Sequence, residues 1–334
     1  MKFFKHCYFS ILLITIFSCQ NKTNEVVIYT SVDQLFSEPI LRDFEKETNI
    51  KVKAVFDTEE TKSTGVLNRL IAEKNNAQCD VFWSGDPIRT LVLKNKGITA
   101  SYQPENIKDI NATFKDKDYH WIGFSARARV LLYNKTLLKE EDIPKSIFDL
   151  SKEKYKGQFA IANPLFGTTT FHIAALFDVL GDKKAKQFLS DLKKNKVVIA
   201  TSNGDVKKRV MKGEVFCGLT DTDDAYEAIK ESKDVGIVFL DQNDIGSLIM
   251  PNTINLIKNS PNQENAKKLI DYLLSEKTEA KLAVSCAQMP LHKEVATPKN
   301  VPSLDHIIPM KIDYENTSKK LEEIQQYLKE WAGN

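Results

Sequence analysis

The chain has 334 residues, 42% of them hydrophobic, and its 47 basic and 45 acidic side chains leave a formal net charge of +2. This length exceeds the size at which a single hydrophobic core stops growing, so we expect two lobes. Residues 1–19 hold two lysines and no acidic residue, and without them 45 basic side chains face 45 acidic ones. A neutral chain argues against a nucleic acid partner.

The N-terminus has the order of a secretory signal peptide. Lys2 and Lys5 precede an apolar run from Tyr8 to Phe17, which is shorter than a membrane-spanning helix. The segment ends in "IFSC" and so resembles a bacterial lipoprotein signal, in which Cys19 becomes lipidated. This resemblance implies that residues 20–25 form a tether to the membrane. An uncleaved anchor helix is the alternative.

The chain that follows alternates strand-like runs with amphipathic helical stretches, an order that predicts parallel sheets covered by helices. The first unit contains "EVVIYTS", "IKVKAVF" and "CDVFWS", with helices predicted near 34–48, 62–75 and 87–96. The second begins at "WIGFSARARVLLYNK" and contains "QFAIANP", "KVVIAT" and "EVFCGLT", with helices near 169–180, 182–194, 204–212 and 223–231.

The last predicted helices, near 262–275, 276–285 and 315–331, have no strands of their own, and we expect them to pack onto lobes already built. The sequence therefore predicts two α/β lobes around a cleft. Lobe 1 comprises residues 26–125 with about 250–295, and lobe 2 comprises residues 126–249 with about 305–334.

Polar clusters follow the predicted strands, at 29–34, 83–87, 162–172, 201–205 and 219–226. Ligands of such sheets sit beyond the carboxyl ends of the strands, and clefts between domains are preferred ligand sites. Ser31, Asp33 and Asp86 are the candidates in the first two clusters.

The third cluster predicts a seat for an anion. Pro164 and Gly167 break the chain before a helix whose first turn holds Thr168, Thr169 and Thr170. Free backbone N–H groups, the positive end of the helix dipole and hydroxyl donors together attract anions. An ordinary threonine N-cap is the alternative.

Two arginines are candidates for the same anion. Arg127 and Arg129 lie two residues apart, so on a strand they point to one face. A guanidinium can bind a phosphate or carboxylate in bidentate fashion. The alternative is a solvated edge strand.

Three carboxylates, Asp221, Asp223 and Asp224, fall within four positions before a predicted helix. The capping-box-like spacing of Thr220 and Asp223 indicates a helix cap. Clustered carboxylates also repel one another unless a cation or an array of donors faces them, which favours a ligand.

Other residue types indicate little chemistry. The cysteines after Cys19 are Cys79, Cys217 and Cys286, an odd number that gives no complete disulfide framework, and the first two abut apolar runs, which predicts buried thiols. His120, His172, His292 and His306 lack metal-ligand spacing and are interpreted as structural. The sequence has no G-x-S-x-G, P-loop or G-x-G-x-x-G motif.

The signal, the lobes and the phrases "VVIYTSVDQ", "DVFWSGDP", "SARARVLLYN", "IANPLFGTTT" and "LTDTDDAY" resemble the substrate-binding proteins of ABC importers. The branch they resemble is the ferric-iron-binding family, which has thiamine-, polyamine-, phosphonate- and sugar-phosphate-binding relatives. The resemblance covers essentially the whole mature chain. It implies a two-lobed periplasmic binding protein fold (type II), each lobe a mainly parallel sheet flanked by helices, with a hinge between. It also implies a non-enzymatic monomer in the periplasm or at the cell surface, with an ABC permease and ATPase as partners.

By position, the family's anion pocket corresponds to Gly167, Thr168, Asn203, Asp221 and an arginine of the 127/129 pair, beside Ser31 and Thr169. The family's iron ligands are not preserved. Asp33 stands where it has a histidine, Gly85, next to Asp86, where it has a glutamate, and Asp223 and Asp224 where it has paired tyrosines. Asp33, Asp223 and Asp224 could hold a hard cation, but carboxylates do not select iron.

The resemblance thus implies a positive seat facing a negative wall of Asp33, Asp221, Asp223 and Asp224, with Asp86 beside it. A small zwitterion such as an aminoalkylphosphonate fits both ends by charge complementarity. A ferric ion with a synergistic anion also fits, as a transported ligand and not as a cofactor. A secreted cleft enzyme such as a phosphatase, and a purely structural surface lipoprotein, remain alternatives from other classes.

Overall fold

A computed structural model describes residues 24–57, 64–299 and 301–333. The predicted signal peptide with Cys19, and most of the predicted tether, lie outside these residues. None of the helices within the described ranges is long and apolar enough to cross a membrane.

The first βα units follow the predicted order. They are β1 (Glu25–Thr30), α1 (Gln34–Thr48), β2 (Lys51–Phe56), α2 (Gly65–Ala72), β3 (Val81–Ser84) and α3 (Pro87–Asn95). Strand β1 lies between β2 and β3 and is parallel to both. Helix α1 buries Ile40, Leu41 and Phe44 on one face and ends at Thr48. Its C-cap residue Asn49 donates its N–H to the Glu45 carbonyl and has a left-handed backbone (φ 57°), which turns the chain out of the helix.

Two long strands connect the halves of the sheet. After β4 (Thr99–Ala100), strand β5 (Ile122–Asn134) pairs antiparallel with β10 (Ile249–Ile257) along residues 122–128. From Arg129 onward β5 pairs instead with β8, and then with β9. We call the strands around β1, β3 and β10 the first half of the sheet, and those around β6 and β8 the second half.

The second half contains β6 (Phe159–Ala162), α4 (Gly167–Leu180), α5 (Asp182–Lys194), β7 (Val198–Ala200), α6 (Asn203–Met211), β8 (Cys217–Asp221), α7 (Thr222–Glu231) and β9 (Val235–Val238). Strands β7, β6 and β8 are parallel. Helix α6 packs closely on β8, because Gly218 has no Cβ and a Cβ there would collide with Val206. The overall strand order is β2-β1-β3-β10-β5-β8-β6-β7, with β4 beside β10 and β9 beside β5.

The late helices pack onto both halves, as predicted. Helices α8 (Gln263–Leu273) and α9 (Glu276–Cys286) join the apolar core of the first half. Helix α10 (Tyr314–Gly333) joins the core of the second half, yet its Ser318 hydroxyl donates to the carbonyl of Ile88 in α3 at 3.3 Å. Cys79, Cys217 and Cys286 are free and buried, which confirms the prediction of buried thiols for the first two.

Candidate functional site

A cavity of about 310 Å³ lies where the carboxyl ends of strands from both halves of the sheet meet. Most of the predicted site residues line it: Ser31, Asp33, Arg127, Gly167, Thr168, Thr169, Asn203, Asp221, Asp223 and Asp224. Gly85 lines it as well, and two predicted residues, Asp86 and Arg129, do not. The clusters at the ends of separate strands therefore converge on one cleft, as parallel strands require.

Three helices of the second half begin at this cavity, and α1 of the first half also begins there, with Asp33 at its N-cap position. Helix α4 has Phe166 at its N-cap and no side-chain cap, so the predicted alternative of a threonine N-cap is wrong. Helix α6 is capped by the Ser202 hydroxyl, which accepts from the N–H of Asp205 at 3.1 Å. Helix α7 has Asp221 at its N-cap, again without a side-chain cap bond. The N–H groups of these first turns and their helix dipoles place positive potential on the second-half side of the cleft.

Asp221 is the centre of a buried hydrogen-bond network. Its Oδ1 lies 2.6 Å from Arg129 Nη1, and its Oδ2 accepts from the Thr168 hydroxyl at 2.8 Å and from Asn203 Nδ2 at 3.1 Å. Burial alone would raise the pKa of Asp221, but the charges of Arg129 and Arg127 and these hydrogen bonds lower it below its ordinary value. Asp221 is therefore ionised, and it faces arginines instead of capping its helix.

The two arginines differ in depth. Arg129 is 3% exposed and does not line the cavity; besides Asp221 it contacts Thr168 at 3.3 Å and Asn203 at 3.2 Å. Its prediction as a direct ligand contact is corrected to a support behind the cavity wall. Arg127 lines the cavity itself. The alternative of a solvated edge strand is wrong, because β5 lies between β10 and β8.

The capping-box reading of Thr220 and Asp223 is also wrong. The Thr220 hydroxyl donates to Asp224 Oδ2 at 3.3 Å, and Asp223 Oδ1 accepts from the N–H of Asp224 at 3.1 Å. The other oxygen of Asp223 lies 3.4 Å from Arg127 Nη1. The predicted positive seat and negative wall are thus in direct contact rather than separated by a gap.

Asp86 lies outside the cavity, which corrects its prediction as a cation-facing residue. Its Oδ1 accepts from the N–H groups of Ile88 and Arg89, at 3.0 and 3.2 Å, and so caps α3. Its Oδ2 forms an ion pair with Arg89 Nη1 at 2.7 Å, and both side chains are buried. Asp86 is followed by Pro87 at the first helical position. This pair is a helix-start signal, so the cap could have been predicted from the sequence.

Several cavity residues were missed by the sequence analysis: Phe36, Phe166, Lys207, Lys208, Glu227 and Gln288. Lys207 stands four residues after Asn203 in α6, a spacing that puts both on one helix face and could have identified it. It forms an ion pair with Glu227 of α7. No sequence pattern indicates Gln288, whose Oε1 accepts a hydrogen bond from Asn252 Nδ2 at 2.8 Å.

His120, His172 and His292 take structural positions, and His306 is exposed. His172 of α4 is buried behind the site, and burial together with the charge of Arg129 lowers its pKa to about 3, so it is neutral. His120 hydrogen-bonds Thr99 at 2.9 Å, and His292 pairs with Asp109 at 2.8 Å. Within residues 24–57, 64–299 and 301–333, no three His, Cys, Asp or Glu side chains are grouped so as to hold a metal ion.

Comparisons with known proteins agree with this architecture. Residues 40–308 match the family described as bacterial extracellular solute-binding proteins. The chain is 28% identical over 291 residues to iron uptake protein A1 of Synechocystis sp., covering 82% of this chain and 79% of that protein. It is 27% identical over 296 residues to a periplasmic protein of Salmonella typhimurium named for 2-aminoethylphosphonate binding, covering 86% and 80%.

The fold is similar to that of iron-bound HitA from Pseudomonas aeruginosa, with a TM-score of 0.83 at 23% identity over 91% of this chain and 99% of that one. This likeness confirms the predicted two-lobed periplasmic binding protein fold.

Proposed function

The chain belongs to the bacterial extracellular solute-binding protein family, and on this premise we propose that it captures a small solute in the cleft and delivers it to a membrane permease and its ATPase. The observation that carries the proposal is the convergence of strand ends from both halves of the sheet on one polar cavity of about 310 Å³. That volume is at the lower end for small-molecule sites. Closure about β5, which pairs with β10 of the first half and β8 of the second, would enclose the solute.

The protein is proposed to act as a monomer held to the membrane by a lipid on Cys19, in the periplasm or at the cell surface. Its named relatives are uptake and binding proteins, which favours a binding protein over a phosphatase. No histidine is among the residues that line the cavity, so a nucleophile there would lack a histidine base in the part of the chain that the structure describes.

The ligand is proposed to be a small zwitterion with a phosphonate or phosphate head and an amine. The head would lie at the start of α4, where the hydroxyl of Thr169 is buried without a protein partner. Lys208 of α6 lines the same cavity and supplies a further positive charge. The amine would lie toward Asp33, Asp223 and Asp224, whose carboxylates line the other part of the cavity.

A ferric ion with a synergistic anion is the second candidate, because several relatives are named for iron. Phenolate oxygens select Fe(III) far better than carboxylates do, and among the described residues no tyrosine lines the cavity. The carboxylates could still coordinate a hard cation. This candidate therefore ranks below the zwitterion.

Isothermal titration calorimetry on the mature protein tests the ligand class. The panel is 2-aminoethylphosphonate, ethylphosphonate without the amine, ethanolamine without the anion, and ferric citrate. We expect 2-aminoethylphosphonate to bind and each half-ligand to bind at least about tenfold more weakly, because each loses one charge-assisted contact. Saturation by ferric citrate alone would reject the zwitterion, and binding by none of the four would reject this ligand class.

Small-angle scattering tests the transport role independently of the ligand's identity. A ligand that closes the cleft should reduce the radius of gyration. Superimposable profiles with and without a bound ligand would contradict the proposed capture mechanism.

A further inference from the structure

Arg127 occupies the middle of the aspartate cluster. Its Nη1 lies 3.3 Å from Asp221 Oδ2 and 3.4 Å from Asp223 Oδ2, and its Nη2 donates to the carbonyl of Gly85. Only 12% of the side chain is exposed. A cation that belongs to the protein is therefore already bound by the carboxylates that the sequence analysis assigned to a ligand's positive part.

The charges of all four carboxylates act on this one guanidinium. Burial alone would lower the pKa of Arg127, but the charges of Asp223, Asp221, Asp33 and Asp224 raise it above its ordinary value. An arginine in this environment remains charged throughout the range in which the protein is folded. The cluster thus holds a permanent positive charge.

Residue 85 gives the guanidinium its space. A Cβ added at Gly85 would lie 3.1 Å from Arg127 Nη2, closer than an ordinary van der Waals contact, so any side chain there would push the guanidinium aside. Gly85 does not have a left-handed backbone. Gly85→Ala would therefore shift the Arg127 head group by a few tenths of an ångström without straining the chain.

We propose that Arg127 is a specificity-determining residue that excludes multivalent metal ions from the aspartate cluster and leaves an ammonium group as the cation that the cleft accepts. The inference rests on the proposed function and deepens it. A hard metal ion needs about six or more oxygen ligands at close range. Arg127 already covers oxygens of Asp221 and Asp223, and its charge repels a multivalent ion more strongly than a singly charged one.

The charges of the site show what Arg127 contributes. The carboxylates of the cavity are those of Asp33, Asp221, Asp223, Asp224 and Glu227, and the cations in and directly behind its wall are Arg127, Arg129, Lys207 and Lys208. Five negative and four positive charges leave a formal charge of −1. Without Arg127 the formal charge is −2 and two carboxylates lose a donor, so the site would attract a multivalent cation more strongly.

Terbium(III) luminescence, with terbium as the probe metal, tests the inference on the mature protein. We expect little saturable binding in the wild type. We expect Arg127→Gln to bind terbium at least about a hundredfold more tightly, because a unit charge beside the same oxygens has been removed. Gly85→Ala only shifts that charge, so its gain should be smaller, about two- to fivefold. Gly85→Ala keeps the arginine side chain, so it still tests the proposal if Arg127→Gln fails to fold.

Matched variants separate the role of Arg127 from a general change in charge. Lys208→Gln removes one positive charge from the same cavity but leaves the aspartates paired, and its gain in terbium affinity should stay below about fivefold, as for an exposed charge. Arg127→Lys keeps a charge in place and should retain most of the exclusion. The inference is overturned if the wild type binds terbium as tightly as Arg127→Gln, or if Lys208→Gln gains as much.

The same preparations are titrated with 2-aminoethylphosphonate, so that the two ideas fail separately. Absence of phosphonate binding in the wild type would reject the proposed ligand while the terbium gain could still support the role of Arg127. Phosphonate binding in the wild type without any terbium gain in Arg127→Gln or Gly85→Ala would reject the role of Arg127 alone.

Discussion

The two sides of the cleft are built differently. On the second-half side, three helices begin at the cavity, and Asp221, Arg129, Thr168 and Asn203 hydrogen-bond one another in the interior. On the first-half side Asp33 is partly exposed, and the N–H of Gly85 donates to the Ser31 hydroxyl at 3.0 Å. A ligand would therefore be oriented by the second half, and the first half would complete the site on closure.

The difference follows from how each half uses its strand-end aspartates. In the first half, Asp86 caps α3 and pairs with Arg89, so it is not available to a ligand. In the second half, Asp221 occupies the N-cap position of α7 but binds arginines instead. The same residue type at the same kind of position stabilises a helix in one half and organises a site in the other.

The largest expected effect comes from removing the centre of the second-half network. Asp221→Ala leaves Arg129 buried without its ion-pair partner, and breaking a buried pair on one side costs about 3 kcal/mol or more of unfolding free energy. Ligand binding should be lost as well. Urea denaturation followed by circular dichroism measures the first effect, and calorimetry measures the second.

The matched control on the other side of the cleft is Asp33→Ala. Asp33 is partly exposed, so its removal should lower the unfolding free energy by about 1 kcal/mol or less, as for a partly solvated charge interaction. Equal losses in stability for the two variants would contradict the asymmetry between the two sides.

Thr168 and Thr169 provide a finer contrast within one helix turn. The Thr168 hydroxyl donates to Asp221 and accepts from Asn203 at 2.9 Å, so Thr168→Val should reduce the unfolding free energy by about 1–2 kcal/mol. The Thr169 hydroxyl is buried without a protein partner. Thr169→Val should therefore leave the unfolding free energy unchanged or raise it.

Ligand affinity should fall in Thr169→Val, which is the variant that is expected to keep its stability. If the Thr169 hydroxyl binds the ligand's anionic head, Thr169→Val weakens the affinity by about five- to tenfold at unchanged stability. Calorimetry with 2-aminoethylphosphonate provides the measurement. Unchanged affinity in Thr169→Val would move the anion away from the start of α4.

Asp33→Asn tests whether the first half contributes to recognition of the amine. The substitution should weaken binding of 2-aminoethylphosphonate by about fivefold, the size expected for a partly exposed ion pair, and should leave the weak binding of ethylphosphonate unaltered. The ratio of the two affinities is the readout. A proportional loss for both ligands would assign Asp33 to the anion or to the fold.

Much of the fold was predictable because the spacing of hydrophobic residues and the residue types at helix ends determine helices over a few neighbouring positions. The helix predicted at 34–48 is α1, Gln34–Thr48, and that at 182–194 is α5, Asp182–Lys194. The two-residue β4 and the four-residue β9 were not predicted. Strands so short carry too few residues to show a period, and they form because β10 and β5 offer an edge.

The candidate site was predictable as a set of positions but less so as a set of contacts. Strand-end polar clusters indicated one cleft because parallel strands share an edge. The spacing of Arg127 and Arg129 predicted that both side chains point to one face of the strand. It did not predict how deeply each is buried, because burial depends on what α4 and α6 cover. That Asp86 caps its helix could be predicted locally from Pro87. That Asp221 does not cap its helix depends on Arg127 and Arg129 of β5, which no local pattern reveals.

The smallest expected effect concerns pH, where the two halves should respond with opposite sign. In the first half, His292 Nδ1 faces the Asp109 carboxylate and Nε2 faces the Leu274 carbonyl, both at 2.8 Å. Burial alone would lower the pKa of His292, but these acceptors and the charge of Glu279 raise it above its ordinary value. Two acceptors at the two ring nitrogens favour the doubly protonated ring.

A raised folded-state pKa means that His292 contributes stability fully below its unfolded pKa of about 6.5 and loses that contribution as pH rises through the folded value. Asp221, with its lowered pKa, contributes above about pH 4 and loses its contribution in acid. Urea midpoints between pH 6 and 9 should therefore decline slightly in the wild type. The decline should be smaller in Asp109→Asn, because Asp109 is 34% exposed and water screens the pair only in part. An equal decline in both proteins would assign the pH dependence to other groups and remove this contrast between the halves.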